Sequence, residues 1–142
     1  ARRQLSILEG LRRRGYSGRV SAGTYRRMIS RDPGAARTLL DRTDLFFCNA
    51  EEFDLLCPAG PPGSTIVCAT RGPEGVVVHG GPHAGEHTVP PAHVVDATGA
   101  GDAFCGGFLA VALEYPDGEP VLIFRHRAAD GSVNNEDLRR AG

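Results

Sequence analysis

Lysine is missing from this 142-residue chain; all 16 basic residues are arginine. No run of about 18 apolar residues exists, which excludes a membrane-spanning helix. No basic-then-apolar leader opens the chain, so no secretory signal is expected. None of the four cysteines forms a CxxC pair. Cys48, Cys68 and Cys105 lie instead in apolar runs, where a reduced thiol behaves as a small buried hydrophobe. That argues against a disulfide framework and for a cytoplasmic protein. Internal repeats and low-complexity segments are also lacking. The chain begins at Ala1 rather than methionine, which suggests a fragment or a processed product.

The charge that is present is unevenly placed. Eleven of the arginines fall in residues 1–42, opposed only by Glu9, Asp32 and Asp41, whereas the remainder is acidic. A basic first third could signal nucleic acid. It has no interleaved aromatics and no recognised motif, and ARRQLSILEGLRRRG reads as an amphipathic helix with Leu5, Leu8 and Leu11 on one face. Its arginines are then the solvated side, and no nucleic-acid partner and no membrane are expected.

Alternating strand and helix signals follow. Helices are predicted over residues 1–14, 33–42, 51–56 and 100–114, and strands over 18–21, 44–49 and 64–70. Short strands at 76–79 and 86–89 flank HGGPHAG as a hairpin closed by Pro90-Pro91. Strand–helix units of this kind argue for an α/β sandwich around a mostly parallel sheet. In such sheets ligands gather at the carboxyl ends of strands. Three motifs sit there: Asn49 after LFFC, Thr70 to Gly75 after STIVCA, and the turn at 99–101. The tail after Tyr115 carries no clear pattern. His79, His83 and His87 recur every fourth residue, but among Gly and Pro that spacing defines no common face, so they are read as surface-loop histidines rather than metal ligands.

Gly99-Ala100-Gly101 opens a helix and offers free N–H groups at a positive dipole end, which suits a phosphate. Asp102 beside it is suited to take a proton from a hydroxyl attacking that phosphate. It is equally suited to a plain structural role, since Asp is favoured in a helix's first turn. The residues alone leave both readings open. Glu52, taken by itself, reads as an exposed helix charge. Gly106 and Gly107 are expected to let the last helix pack closely, with Phe104, Phe108 and Leu109 as core.

VVDATGAGDAFCGGFLA resembles the C-terminal signature of the ribokinase (PfkB) family of carbohydrate kinases. Asn49-Ala50-Glu51-Glu52 is similar to that family's N-x-x-E motif, and Thr70 to Gly75 to its T-x-G-x-x-G loop. The resemblance spans roughly residues 18–114 and implies a ribokinase-like three-layer α/β/α fold and a sugar or nucleoside kinase using ATP and Mg²⁺. By resemblance, Asp102 is the catalytic base and Gly99, Ala100 and Gly101 form the anion hole, with Gly101 also against the nucleotide. Asn49 and Glu52 organise Mg²⁺ and phosphate. Thr70, Gly72 and Gly75 line the nucleotide, with Arg71 near its phosphates. Asp96 and Thr98 match positions that in many members hold a monovalent cation such as K⁺.

Members of that family are more than twice as long. The expectation is therefore a partial kinase domain over 1–142, the ATP-side half, lacking the N-terminal lid and most acceptor contacts. No adenine contacts are assigned in its short tail. A half sheet leaves open edges, so association with itself, as a homodimer, or with a partner is expected. A catalytically inactive, truncated nucleotide-binding or regulatory module is the alternative.

Overall fold

Only five residues, Arg71 to Gly75, separate the third and fourth strands of this chain. That is too few for the crossover of about a dozen residues that a parallel pair requires, so the fourth strand must return antiparallel. The computed structural model describes residues 1–91 and 93–114 together with 126–127 and 133–134. These fall into two units, Ala1–Thr88 and Val89–Gly142.

The first unit runs α1 (Arg2–Arg13), β1 (Ser21–Gly23), α2 (Arg26–Arg31), α3 (Pro33–Asp41), β2 (Leu45–Asn49), α4 (Ala50–Leu56), β3 (Ile66–Thr70), β4 (Val76–His79) and β5 (Gly85–His87). Its sheet has the order β1-β2-β3-β4-β5. The ladders β1–β2 and β2–β3 are parallel, and β3–β4 and β4–β5 are antiparallel. The sheet is thus mixed, where a mostly parallel one was expected, because the hairpin strands join it.

Period-two alternation sends Phe46, Cys48, Val67 and Ala69 to one face. There they meet Met28 and Ile29 of α2, Leu39 and Leu40 of α3, and Leu56 of α4 in one apolar cluster. Phe46 and Leu40 are fully buried, and each such side chain contributes roughly 1.5–3 kcal/mol by leaving water. Phe47, Cys68 and Val78 point to the opposite face.

Local chemistry sets the helix starts. The Asp32 carboxylate accepts from the Ala35 amide at 3.0 Å and precedes Pro33 at the first helical position, the arrangement that best begins a helix. That amide, and then the Arg2 guanidinium, hold the Asp32 carboxyl below its usual range. The Arg2–Asp32 ion pair ties α1 to this cap. At the far end of α3, the buried Thr65 hydroxyl shares its one proton between the Leu40 carbonyl at 3.0 Å and the Thr43 carbonyl at 2.8 Å, anchoring the approach to β3.

Several sequence expectations shift. The strand placed at 18–21 lies at Ser21–Gly23, because Val20 is spent on bonds to Asp44 just before pairing begins. Helix α2 was not anticipated; it has no side-chain cap to announce it and shows itself only by burying Met28 and Ile29. The strand predicted at 64–70 starts at Ile66, and that at 86–89 is Gly85–His87. On α1, Leu8 is buried but Leu11 is exposed. Residues three apart are offset by about 60° on a helix, so the third leucine turns away from the face begun by Leu5. Cys57, outside the apolar runs, is buried, while Cys105 is only partly so.

In the second unit α5 spans Ala100–Glu114, as expected. Phe108 is buried and its ring lies 6.2 Å from that of Phe104. Among the described residues, a Cβ added at Gly106 would meet nothing within 4 Å. His126–Arg127 pairs antiparallel with Val133–Asn134; the rest of the unassigned tail lies outside the described residues.

Candidate active site

Parallel strands β2 and β3 end side by side, with Asn49 directly opposite Thr70. Asn49 caps α4. Its Oδ1 accepts from the Glu52 amide at 2.9 Å, and Glu52 Oε2 accepts from the Asn49 amide at 3.0 Å. This reciprocal box satisfies two donors that a helix start otherwise leaves free. It also withdraws Glu52 from water to 7% exposure, against the exposed charge that its sequence surroundings suggested. Only one carboxylate oxygen is used; among the described residues Oε1 carries no hydrogen bond. The Thr70 hydroxyl reaches the Cys48 carbonyl at 3.4 Å. Asn49, Glu52 and Thr70 are therefore held together at one carboxyl edge.

The loop after Thr70 is a tight hairpin turn. The Arg71 amide donates to the Gly75 carbonyl at 2.8 Å, closing a short 3₁₀ turn over Gly72–Glu74. Gly75 has φ +101°, and a Cβ there would lie 2.0 Å from the His87 carbonyl oxygen, so β5 admits only glycine. The Arg71 side chain pairs with Glu86 of β5, Nη1 to Oε1 at 3.1 Å. Sequence reasoning missed Glu86; its one signal is that Arg71 is the only Lys or Arg between Arg42 and Arg125.

His79 and His87 are strand residues, not loop residues. His79 stacks on Phe53 with centroids 4.0 Å apart and rings 3° from parallel. Burial, and then the Arg71 charge, hold this imidazole below the ordinary histidine range. His87 lies on the other sheet face, one strand over, and its Nε2–H donates to the His83 carbonyl at 3.0 Å. The three histidines share no face, and among the described residues no three His, Cys, Asp or Glu side chains converge on a metal position.

In the second unit, Asp96 to Asp102 form one continuous turn into α5. Asp96 Oδ1 accepts from the Thr98 amide at 2.8 Å, and that bond, followed by one from the Thr98 side chain, holds the Asp96 carboxyl below its usual range. Gly99 follows with φ +78°, the left-handed conformation that favours glycine. The Ala100 amide donates to the Ala97 carbonyl and the Ala103 amide to the Gly99 carbonyl. The amides of Gly101 and Asp102 lie in the first turn, where a helix has no internal acceptors.

Asp102 occupies the third position of α5, as Glu52 does in α4. Glu52 closes a capping box and is buried. Asp102 is exposed, and among the described residues its carboxylate makes no hydrogen bond or ion pair. It acts on Cys105 only through its charge, which, behind burial, raises that thiol above its ordinary range.

A pfkB family carbohydrate kinase pattern matches residues 25–139. The chain belongs to that family. It is 32% identical over 110 residues to a cytidine kinase of Thermococcus kodakarensis, an alignment covering 69% of this chain and 38% of that protein. A fructosamine kinase of Bacillus subtilis is 38% identical over 47 residues, 33% of this chain and 16% of that one. The fold is similar, with a TM-score of 0.62 at 19% identity, to an uncharacterized sugar kinase from Pyrococcus horikoshii in complex with ATP, over 78% of this chain and 39% of that one. The family chain thus has the ribokinase-like α/β fold, and it spans about two fifths of the length of the cytidine kinase and of the solved structure.

A divalent cation fits the residues of the first unit. Mg²⁺ is commonly held through one or two carboxylates together with water and substrate phosphates rather than in an all-protein cage. The unengaged Oε1 of Glu52 at the carboxyl edge suits that mode.

Proposed function

We propose that this chain forms the nucleotide-side part of a phosphotransferase that moves the γ-phosphoryl of ATP onto a hydroxyl of a sugar or nucleoside. Asp102 takes the proton of the acceptor hydroxyl while that oxygen forms a bond to the γ-phosphorus. The bond from phosphorus to the β–γ bridging oxygen breaks, and ADP leaves. The backbone amides of Gly99 and Gly101 receive the charge that develops on the transferred group; the Ala100 amide, expected to join them, is given to the Ala97 carbonyl instead. Thr70, Gly72 and Gly75 line the nucleotide, with Arg71 toward its phosphates. Asn49 holds Glu52 in place to orient water and Mg²⁺, which when bound offsets the β- and γ-phosphate charge. A K⁺ held near Asp96 and Thr98 is part of the same proposal.

The observation that carries this reading is the Asp102 carboxylate itself, without a partner among the described residues in a first turn where the Gly101 and Asp102 amides have no internal acceptor. A capping role would have tied it down as Glu52 is tied. The names of the two sequence relatives, a cytidine kinase and a fructosamine kinase, support a nucleoside or sugar-type acceptor. The ATP of the Pyrococcus horikoshii structure supports the donor.

The test is Asp102→Asn in a Mg·ATP assay against a panel of nucleosides and sugars. Turnover should fall by about 10²–10⁴-fold, with the Kd for Mg·ATP little changed. Normal turnover in that variant would remove the base assignment.

Self-association through the open edge of β1, and residence in the cytoplasm, complete the proposal. The four free thiols, three of them buried, support a reducing compartment.

A further inference from the structure

Arg71 is the only lysine or arginine in a stretch of more than eighty residues, and it stands in the loop that follows the carboxyl end of β3. Its guanidinium is not left open there. It meets Glu86, carried on the outermost strand of the sheet, through a single contact of 3.1 Å, with side-chain exposures of 39% and 72%. A pair that is solvent-exposed and joined at one nitrogen is weak and readily exchanged. A phosphate carries more charge than a carboxylate and matches the guanidinium fork at two points. The loop backbone does not depend on this pair, since the Arg71–Gly75 bond and the approach of Gly75 to the His87 carbonyl already set it.

We propose that Glu86 is an internal competitor for the nucleotide. Its carboxylate occupies Arg71 in the nucleotide-free protein and is displaced by the phosphates of ATP, so Glu86 weakens ATP binding and favours nucleotide release. This rests on the reading of Thr70–Gly75 as the nucleotide loop. A side chain that merely steadied Arg71 would have the opposite effect on affinity.

Calorimetry with Mg·ATP and with adenosine, on the wild-type chain, Glu86→Gln, Arg71→Gln and the double variant, tests the proposal. Glu86→Gln should tighten Mg·ATP about three- to fivefold, the range an exposed ion pair can supply. Adenosine affinity should not move, and the gain should vanish when Arg71 is already Gln. Unchanged or weaker Mg·ATP binding in Glu86→Gln would overturn the competitor role, as would a gain that persists without Arg71 or extends to adenosine. Failure of the wild-type chain to bind either ligand would overturn the nucleotide reading, and this inference with it. Wild-type binding with no response in Glu86→Gln would overturn the inference alone.

Discussion

Asn49 and Thr70 face each other across the last rung of the parallel ladder between β2 and β3. Two motifs more than twenty residues apart in sequence thereby become neighbours at one carboxyl edge. The register, not either motif alone, creates that adjacency. Glu52 is drawn to the same edge because its carboxylate bonds back to the Asn49 amide.

That bond lets the structural and chemical roles of Glu52 be separated. A glutamine can close the same capping box. Glu52→Gln should therefore melt within about 2 °C of wild type, while turnover falls about 10- to 100-fold with the loss of the charge. Glu52→Ala should lose turnover and also about 1 kcal/mol of stability as the Asn49 amide loses its acceptor. Thermal melts and Mg²⁺-dependent rates, measured together, check both. Full activity in Glu52→Gln would leave Glu52 a purely structural residue.

Gly72 and Gly75 both have positive φ, but only Gly75 abuts another strand's backbone. Gly72→Ala should cost about 1 kcal/mol, the strain of a left-handed residue in open space. Gly75→Ala should cost roughly 3 kcal/mol or more, because the β4–β5 contact must separate as well. Denaturant midpoints decide the order; equal costs would contradict the observed contact with the His87 carbonyl.

Because its folded value is depressed, His79 makes stability pH-dependent near neutrality. As pH drops through the unfolded value of about 6.5, the unfolded chain takes a proton that the folded chain still refuses. The stabilisation is present above that pH and is lost below it, until the folded imidazole also protonates. His79→Phe keeps a ring against Phe53 and removes the titration. Its melting temperature should fall less than that of wild type between pH 7.5 and 5.5, and parallel curves would contradict the assignment.

β1 is a terminal strand of its sheet, with three residues and an unpaired side among the described residues. Such an edge is a template for further pairing. Sedimentation velocity on residues 1–142 should show a concentration-dependent species heavier than the monomer. A single monomeric species across the concentration range would count against association through this edge.

Much of this was legible in the sequence because it depends on near neighbours. The capping signal Asn49-x-x-Glu52, Pro33 at a helix start, the apolar runs of β2 and β3, and the glycine turn before α5 each act within a few residues, and each marks the element found. The two glycines of the Thr70–Gly75 loop likewise announce a turn. What sequence could not reveal depends on residues brought from elsewhere. The position of β1 is set by its pairing with β2, and the joining of the expected β4–β5 hairpin to the sheet by its ladder with β3. Leu11 turns outward although its spacing seemed apolar-faced, and His79 gains a stacked partner from α4. Above all, Glu52 and Asp102 occupy the same position in two helices, yet one is locked and buried and the other is exposed and, among the described residues, unpaired. Sequence alone determined the capped helix starts, the buried strands and the glycine turns, since those follow from local bonding. Tertiary structure decided which of those groups are spent on holding the fold, because burial and long-range partners exist only after the strands have paired.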